Sequence, residues 1–379
     1  MKPAQPRQSY DAIVEIERRY DRLLRTQVPD EQFVRVLRTT QSEWSNAVWA
    51  ASEAIGPSIP ASDELDRGLR LAQQPVFICG AARSGTTLLR DLLDGHPQIV
   101  VIPNESGFYR TVERELSALR SDRHCSYLGA RWAGRLAARP PHWLLGSSTP
   151  RNSPYVTFAS EYAGWWLAPE RRKEARISSW PLAAFALAYA QRLGAGRLSP
   201  RVAKWVEKTP GNERCMARIW QDFPAAKVIQ IVRRPEAVLA SAKHMTTHRW
   251  SRRRTLTHVL GEMAPSYSIA AQSRETLPDD RYCLIKYEDL TAEPEAVMSR
   301  VSKFLEIEFM PSLLQPTVAG RPAINNSSFA TSRPDLREVL DPIDRAVLTV
   351  AIARQAAKLG YVPDVAASGA THPIVGNPA

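Results

Sequence analysis

Eight consecutive residues, Gly80-Ala81-Ala82-Arg83-Ser84-Gly85-Thr86-Thr87, have the types and spacing to bind an anion. Glycines let a chain turn sharply, and this turn lies between an apolar run (PVFICG, residues 75–80) and a stretch with helical periodicity. In such a turn successive N–H groups converge near the positive end of a helix, so donors and dipole both favour a bound phosphate-like group. The spacing of Gly80 and Gly85 is that of a P-loop, but Thr86 stands where a nucleoside-triphosphate enzyme has lysine. That lysine, with a Mg²⁺-bound hydroxyl, neutralises a triphosphate. Here Arg83 offers the cation from inside the loop, and the hydroxyls of Ser84, Thr86 and Thr87 add donors. The set suits a group less highly charged than a triphosphate. The competing reading is an ordinary glycine turn between a strand and a helix.

For this loop to work, a strand must end at it and a helix must start from it. Residues 75–80 read as a buried parallel strand, and a helix is expected over about 84–93, stopped by Gly95-His96-Pro97. Residues 99–102 (IVVI), 202–206, 227–232 (KVIQIV) and 282–287 (YCLIKY) read as further strands. Helices are expected over 212–222, 235–245 and 294–305. This alternation implies an α/β fold, a parallel sheet flanked by helices with right-handed crossovers. Before it, helices over 10–26 and 30–55 make residues 1–70 a helical N-terminal extension. Ile13, Ile16, Tyr20, Leu23 and Leu24 share one face of the first, and Gly56-Pro57 ends the second. Residues 111–200 read as a helical insertion carrying Trp132, Trp143, Trp165, Trp166 and Trp180. Such residues belong to a core more often than to a ligand cavity. A last helix is expected over 342–359, and residues 362–379, rich in Gly, Pro and Ala, read as a flexible tail. The division is thus 1–70, a domain over 71–361, and the tail.

Three segments carry a resemblance. ARSGTTLLRDLLDGHP (residues 82–97) resembles the 5′-phosphosulfate loop of the sulfotransferase superfamily that uses 3′-phosphoadenosine 5′-phosphosulfate (PAPS). KVIQIVRRPEAVLAS (227–241) resembles its 3′-phosphate motif, in which a strand ends in arginine and a helical serine follows eight residues later, here Arg233 and Ser241. The local pattern agrees: Pro235 suits a first helical turn, and an arginine and a hydroxyl two turns along can converge on one phosphate. IKYEDLTAEPEAVMSRVSKFL (285–305) resembles the family's late strand and helix. Together the segments cover residues 75–305.

The resemblance is closest to the branch containing protein-tyrosine sulfotransferases and bacterial relatives. The steroid and phenol enzymes carry a lysine in the phosphosulfate loop, where this chain has Arg83. The resemblance implies Glu105 (in PNESGFYR) as the general base, one residue later than the family spacing. It implies Lys208 (in EKTPGNE) as the stabiliser of charge on the leaving oxygen. Arg83 would share that charge, with Ser84, Gly85, Thr86 and Thr87 holding the phosphosulfate. The bland alternatives are ion pairs of Glu105 with Arg110 or Arg114 and of Lys208 with Glu207. His96, before Pro97 at a helix end, reads as structural rather than catalytic. The basic stretch HMTTHRWSRRRTLTH (244–258) reads either as a solvated loop or as a source of contacts from Arg249, Arg252, Arg253 or Arg254. A late loop containing Arg321, Asn326 and Ser327 is expected, by resemblance, to close over the nucleotide.

Composition sets the remaining bounds. Lys and Arg number 50 against 39 Asp and Glu, a net charge of +11. That balance favours anionic partners. The partner expected here is a hydroxylated acceptor (a glycan, a natural product or a tyrosine), with PAPS as co-substrate, no metal and no nucleic acid. The sequence carries no signal of oligomeric state. No signal peptide or transmembrane run is read. Cys79, Cys125, Cys215 and Cys283 are scattered without a CxxC pair, which points to a reducing cytoplasm. Cys79 and Cys283 are expected to be buried thiols. Two rivals remain: a phosphoryl transferase with a degenerate P-loop, which a chelator would inhibit, and a non-catalytic binder of nucleotides or polyanions, which would not turn PAPS over.

Overall fold

The computed structural model describes residues 6–26, 31–137, 154–171, 178–192, 198–246, 252–318, 320–323 and 339–361. Arg249, Asn326, Ser327, Trp143 and the tail after residue 361 lie outside them. Helices α1 (Pro6–Thr26), α2 (Glu31–Ile55) and α3 (Ser62–Ala72) precede β1 (Pro75–Cys79), α4 (Thr86–Leu93) and β2 (Ile99–Val101). A π-helical turn, Phe108–Val112, runs into α5 (Glu113–Ser117). Then come α6 (His124–Ala137), α7 (Pro154–Trp166), α8 (Ala168–Arg171) and α9 (Trp180–Arg192). The chain returns to the sheet with β3 (Lys204–Lys208), α10 (Met216–Asp222), β4 (Lys227–Val232), α11 (Pro235–Thr246), α12 (Arg252–Thr276) and β5 (Tyr282–Lys286). Helices α13 (Tyr287–Ala292) and α14 (Pro294–Leu305), a small hairpin of β6 (Thr317–Val318) and β7 (Arg321–Pro322), and a last helix, Pro342–Lys358, complete the order.

The main sheet has the order β2-β3-β1-β4-β5, every pairing parallel. The expected α/β class is therefore the observed one. Chain direction reverses across the sheet centre: β1 leads outward past β3 to β2, whereas β3 leads back past β1 to β4. The carboxyl ends of β1 and β3 flank that switch point, where open α/β sheets form their ligand crevices.

Both sheet faces are covered, which explains the unbroken apolar runs of the strands. Side chains alternate: Phe77 and Cys79 face the large helical layer with Trp205 and Val228, and Val76 and Ile78 face α4 and α14 with Val206 and Ile229. Cys79 is fully buried, whereas Cys283, on edge strand β5, is only partly so. In the helical layer Trp132 stacks on Phe185 at a 4.6 Å centroid separation, and Trp165 and Trp180 are buried. These tryptophans are core.

The N-terminal helices join the same core. Trp44 of α2 meets Tyr155 of α7 edge-on at 5.3 Å, and Trp49 lies where a side chain at Gly129 of α6 would be. Helix α3 was not anticipated. It is short and follows Pro60, and it turns Leu65, Gly68, Leu71 and Ala72 inward. Two further boundaries differ. Strand β3 runs to Lys208 rather than ending at Val206, because Glu207 and Lys208 are buried despite their charge. The basic stretch from Arg252 is the start of the 25-residue α12, whose internal Pro265 and weak periodicity hid it. Among the described residues no helix is long and apolar enough to cross a membrane.

The seat on α7 of the segment that follows α2 is tight enough to test. Ser58 N donates to Ser160 O at 2.9 Å, and a Cβ on Gly164 would lie 1.8 Å from Ser58 O. A backbone oxygen cannot yield cheaply, so Gly164→Ala should destabilise the protein by about 1–3 kcal/mol, the usual cost of overpacking. Urea unfolding would show it as a lower midpoint. An unchanged midpoint would mean that this contact is not formed.

Candidate active site

The anion loop leaves β1 at Gly80. Gly80 has φ +133°, and a Cβ there would lie 2.2 Å from Ile231 O of β4. Any other residue would push β1 and β4 apart. Arg83 has φ +73° and Gly85, which caps α4, has φ +100°. These turns bring the loop back to the helix start, where the first-turn N–H groups lack intrahelical partners. Ser84 is fully buried and its hydroxyl has no hydrogen-bond partner among the described residues. A buried hydroxyl without a partner is costly, and this one lies inside the anion loop. Thr86 is buried and Thr87 partly so.

Two arginines converge beside this loop. Arg83 Nε donates to Ser241 Oγ at 3.0 Å, and Arg233 Nη1 donates to Arg83 O at 3.2 Å. Arg233, just past the end of β4, also lies over the Tyr287 ring at 4.2 Å. Neither guanidinium has a carboxylate partner among the described residues. Burial, and then the adjacent Arg233, hold the Arg83 guanidinium below its usual pKa. Tyr287 was not foreseen as part of this cluster. It directly follows β5, and its ring fills the space that a Cβ on Gly85 would need, at 2.3 Å. Its place at a strand's carboxyl end was the available signal.

The second cluster lies at the ends of β2 and β3. Lys208 Nζ donates to Glu105 Oε1 at 2.5 Å. The lysine side chain is 4% exposed and the glutamate 48%. Burial is the main cause that lowers the Lys208 pKa; Glu105 opposes this, Arg90 adds to it, and Glu207 opposes it more weakly. The pair differs from both bland alternatives, since Arg110 pairs with Glu262 at 3.1 Å and Glu207 is engaged elsewhere. Arg135 of α6 donates to Glu105 O, and Asn104 donates to Arg135 O. Arg90 of α4 donates to Pro103 O. The segment bearing Glu105 is thus held from two sides.

Glu207, behind Lys208, is a hub that sequence reasoning missed. Its Oε1 accepts from Ser106 N at 3.0 Å, Ser106 Oγ at 2.7 Å and Thr209 Oγ1 at 2.5 Å, and its Oε2 accepts from Asn212 Nδ2 at 2.9 Å. Burial pushes its pKa up and the hydrogen bonds from Thr209 and Ser106 oppose this. A carboxylate inside a buried strand was the signal. The two clusters are joined by main chain: Gly211 N donates to Gly80 O at 3.2 Å, and Gly80 N donates to Glu213 Oε2 at 2.9 Å. Register places Lys208 opposite Ile78, two residues before the anion loop.

Other candidates fall outside. His96 is structural: its Nε2 bonds Glu308 O at 2.9 Å and its Nδ1 accepts from Gln98 N at 3.2 Å. Arg321 is exposed in the hairpin. That hairpin is fastened to Asp94, at the far end of α4 from the anion loop, by Thr317 Oγ1 and Gly320 N, each at 2.8 Å. Arg252, Arg253 and Arg254 open α12.

Comparison with known proteins adds the following. A family model described as "Sulfotransferase family" matches residues 75–311. No curated protein matches significantly. Among solved structures, the sulfotransferase domain from the curacin biosynthetic pathway is 20% identical with a TM-score of 0.45, over 76% of this chain and 98% of that one. The sulfotransferase domain of the Synechococcus PCC 7002 olefin synthase is 21% identical with a TM-score of 0.41, over 71% and 81%. A sulfotransferase from Mycobacterium avium is 16% identical with a TM-score of 0.37, over 90% and 95%.

The Tyr287 ring supports Arg233 from below, so its loss should weaken anion binding without touching the anion itself. Tyr287→Ala should reduce affinity for 3′,5′-adenosine bisphosphate (PAP) by about fivefold, the worth of roughly 1 kcal/mol of cation–π contact. Titration calorimetry checks it, and an affinity equal to that of the unaltered protein would remove Tyr287 from the site.

Proposed function

The chain belongs to the sulfotransferase family, and from that premise we propose that it moves a sulfuryl group from PAPS to a hydroxyl of its acceptor. The observation that carries the choice of donor is the pair Arg83 and Arg233, two guanidiniums beside the anion loop without carboxylate partners among the described residues, one of them bonded to Ser241. The partnerless Ser84 hydroxyl fits the same ligand. In this reading Ser84, Gly85, Thr86 and Thr87 hold the 5′-phosphosulfate. Arg233 and Ser241 take the 3′-phosphate, and Arg83 spans the two. Thr86 in place of a P-loop lysine disfavours a triphosphate.

PAPS supplies an activated sulfuryl group on a leaving phosphate. The acceptor hydroxyl oxygen forms a bond to sulfur as the sulfur–oxygen bond to the 5′-phosphate breaks. The bonding pair stays on the phosphate oxygen, and PAP leaves. Glu105 takes the hydroxyl proton. The Lys208 ammonium meets the charge that builds on the leaving oxygen; preorganised cations do this well in a site that excludes water. The Glu105–Lys208 pair keeps the lysine charged before the donor arrives. No step calls for a metal.

The same proposal takes residues 71–361 as the catalytic domain and residues 111–200, with the 1–70 extension packed on them, as the acceptor side. The acceptor class is a glycan, a hydroxylated natural product or a tyrosine. The scattered free cysteines support a reducing cytoplasm as its setting.

PAP should raise the melting temperature of the isolated protein by mass action, and ATP, which lacks a 3′-phosphate, should do much less. Arg233→Ala should cost PAP affinity about 1.5–3 kcal/mol, the weight of a charged hydrogen bond. Equal shifts from PAP and ATP would reject the PAPS reading.

Glu105→Gln keeps the shape and removes the proton acceptor, so turnover should fall by about 10²–10⁴, the usual range for general base catalysis. PAP affinity should hold. Turnover also requires charged Lys208. Its pKa is depressed, so activity should be lost as pH rises through a value below the ordinary lysine range. Glu105→Gln removes the carboxylate that opposes this depression, which should move the alkaline limb still lower. The measurement is the pH profile of PAP release from PAPS; an unmoved limb would mean that Lys208 is not the titrating group.

A further inference from the structure

Two buried carboxylates, Glu207 and Glu213, flank the turn after β3 and take no part in the chemistry above. We propose that they are positioning residues with separate duties: Glu207 sets the segment that carries Glu105, and Glu213 sets the first amide of the anion loop. The inference rests on the reading of Glu105 and the anion loop just given.

Glu207 gathers donors from two strand ends. Ser106, next to Glu105, gives it both its amide and its hydroxyl. Thr209 and Asn212, from the turn after β3, give it their side chains. The bonded groups extend the grip, since Gly107 N donates to Thr209 Oγ1 at 3.1 Å and Phe108 N donates to Ser106 Oγ at 3.2 Å. Glu213 reaches the other way, accepting the Gly80 amide at 2.9 Å, while Gly211 N returns a bond to Gly80 O. The seven-residue stretch 207–213 therefore binds the base segment at one end and the anion loop at the other.

A carboxylate suits this task because it only accepts. Four donors from different segments can meet at Glu207 without any choice of orientation. A glutamine of equal shape would aim an N–H at one of them. The cost of burying a charge makes such a residue a poor choice for stability alone, so its geometry is the better account.

The test uses Glu207→Gln and Glu213→Gln in the full chain. Hydrogen exchange on the ligand-free proteins is read by mass spectrometry and followed by PAP titration. In Glu213→Gln the peptides covering 80–87 should exchange faster by about tenfold while those covering 104–108 stay unchanged. PAP affinity should fall by about tenfold, the effect of one lost charge-assisted hydrogen bond on loop geometry. In Glu207→Gln the exchange pattern should reverse. PAP affinity should stay within about twofold, as for independent sites, and PAP release from PAPS should slow by about tenfold or more. Equal loosening of both peptides in either variant, or loss of PAP affinity in both, would make these residues general core and overturn the proposal. If Glu207→Gln fails to fold, the double variant Ser106→Ala with Thr209→Ala removes two of its donors; for Glu213, Glu213→Asp keeps charge and shortens reach. The same exchange contrast then decides. The unaltered protein in the same titration separates the two readings: its failure to bind PAP rejects the PAPS assignment, and the exchange patterns still judge the positioning.

Discussion

An ammonium group withdrawn from water at the end of β3 is the constraint around which the site is built. Lys208 is almost fully buried, and an uncompensated buried charge costs several kcal/mol. Glu105 meets it from the segment after β2, at 2.5 Å. Glu207 lies beside it in sequence and is itself buried. That second charge must also be satisfied, so Ser106, Thr209 and Asn212 turn toward it. Each compensation fixes another piece of chain. By the time both charges are solvated by protein, the segments after β2 and β3 have little freedom left. Gly211 and Glu213 then pass the constraint to the anion loop at Gly80.

The other cluster is built on the opposite principle. Burial first, and then the neighbouring Arg233, lower the Arg83 pKa. What the two arginines touch is a hydroxyl, a main-chain carbonyl and an aromatic face. These contacts orient guanidiniums without neutralising them. Carboxylates gather around the end of β3, and arginines without carboxylate partners among the described residues gather between the ends of β1 and β4. Lys208 is paired with Glu105. In the proposed function this contrast lets the arginines take the phosphates of the donor and leaves the lysine for its reactive end.

The sequence made the anion loop legible because three signals coincided there: an apolar strand, two glycines at P-loop spacing, and helical periodicity afterwards. Arg233 and Ser241 were legible for a similar reason, since KVIQIV is unmistakable as a strand and Pro235 marks the helix that follows. The bounds of β4 and α14 came out as read. Failures came where charge and burial part company. Glu207 and Lys208 looked like loop residues, yet both belong to β3. Arg252 to Arg254 looked like a solvated loop and begin a long helix. Tyr287 lies within a recognisable motif, yet an aromatic side chain that supports an arginine has no signature in one dimension. The Glu207 hub depends on donors 101 residues back in sequence, a separation that no local pattern reports.

The unequal exposure of Glu105 and Lys208 gives the cluster a direction. The Glu105 side chain is about half exposed and that of Lys208 is buried. In the proposed reaction an acceptor arriving from solvent meets the carboxylate first, and the lysine is left to the donor. The buried tryptophans of the helical layer are committed to its core, Trp132 against Phe185 and Trp180 bonded to Trp165 O, so they are poorly placed to choose an acceptor. In the proposed function that choice falls to side chains around Glu105. Arg135 is one of these, a guanidinium bonded to the Glu105 carbonyl and carried on α6, which packs against α2. Through α6 the segment bearing Glu105 is joined to the packing of the N-terminal helices.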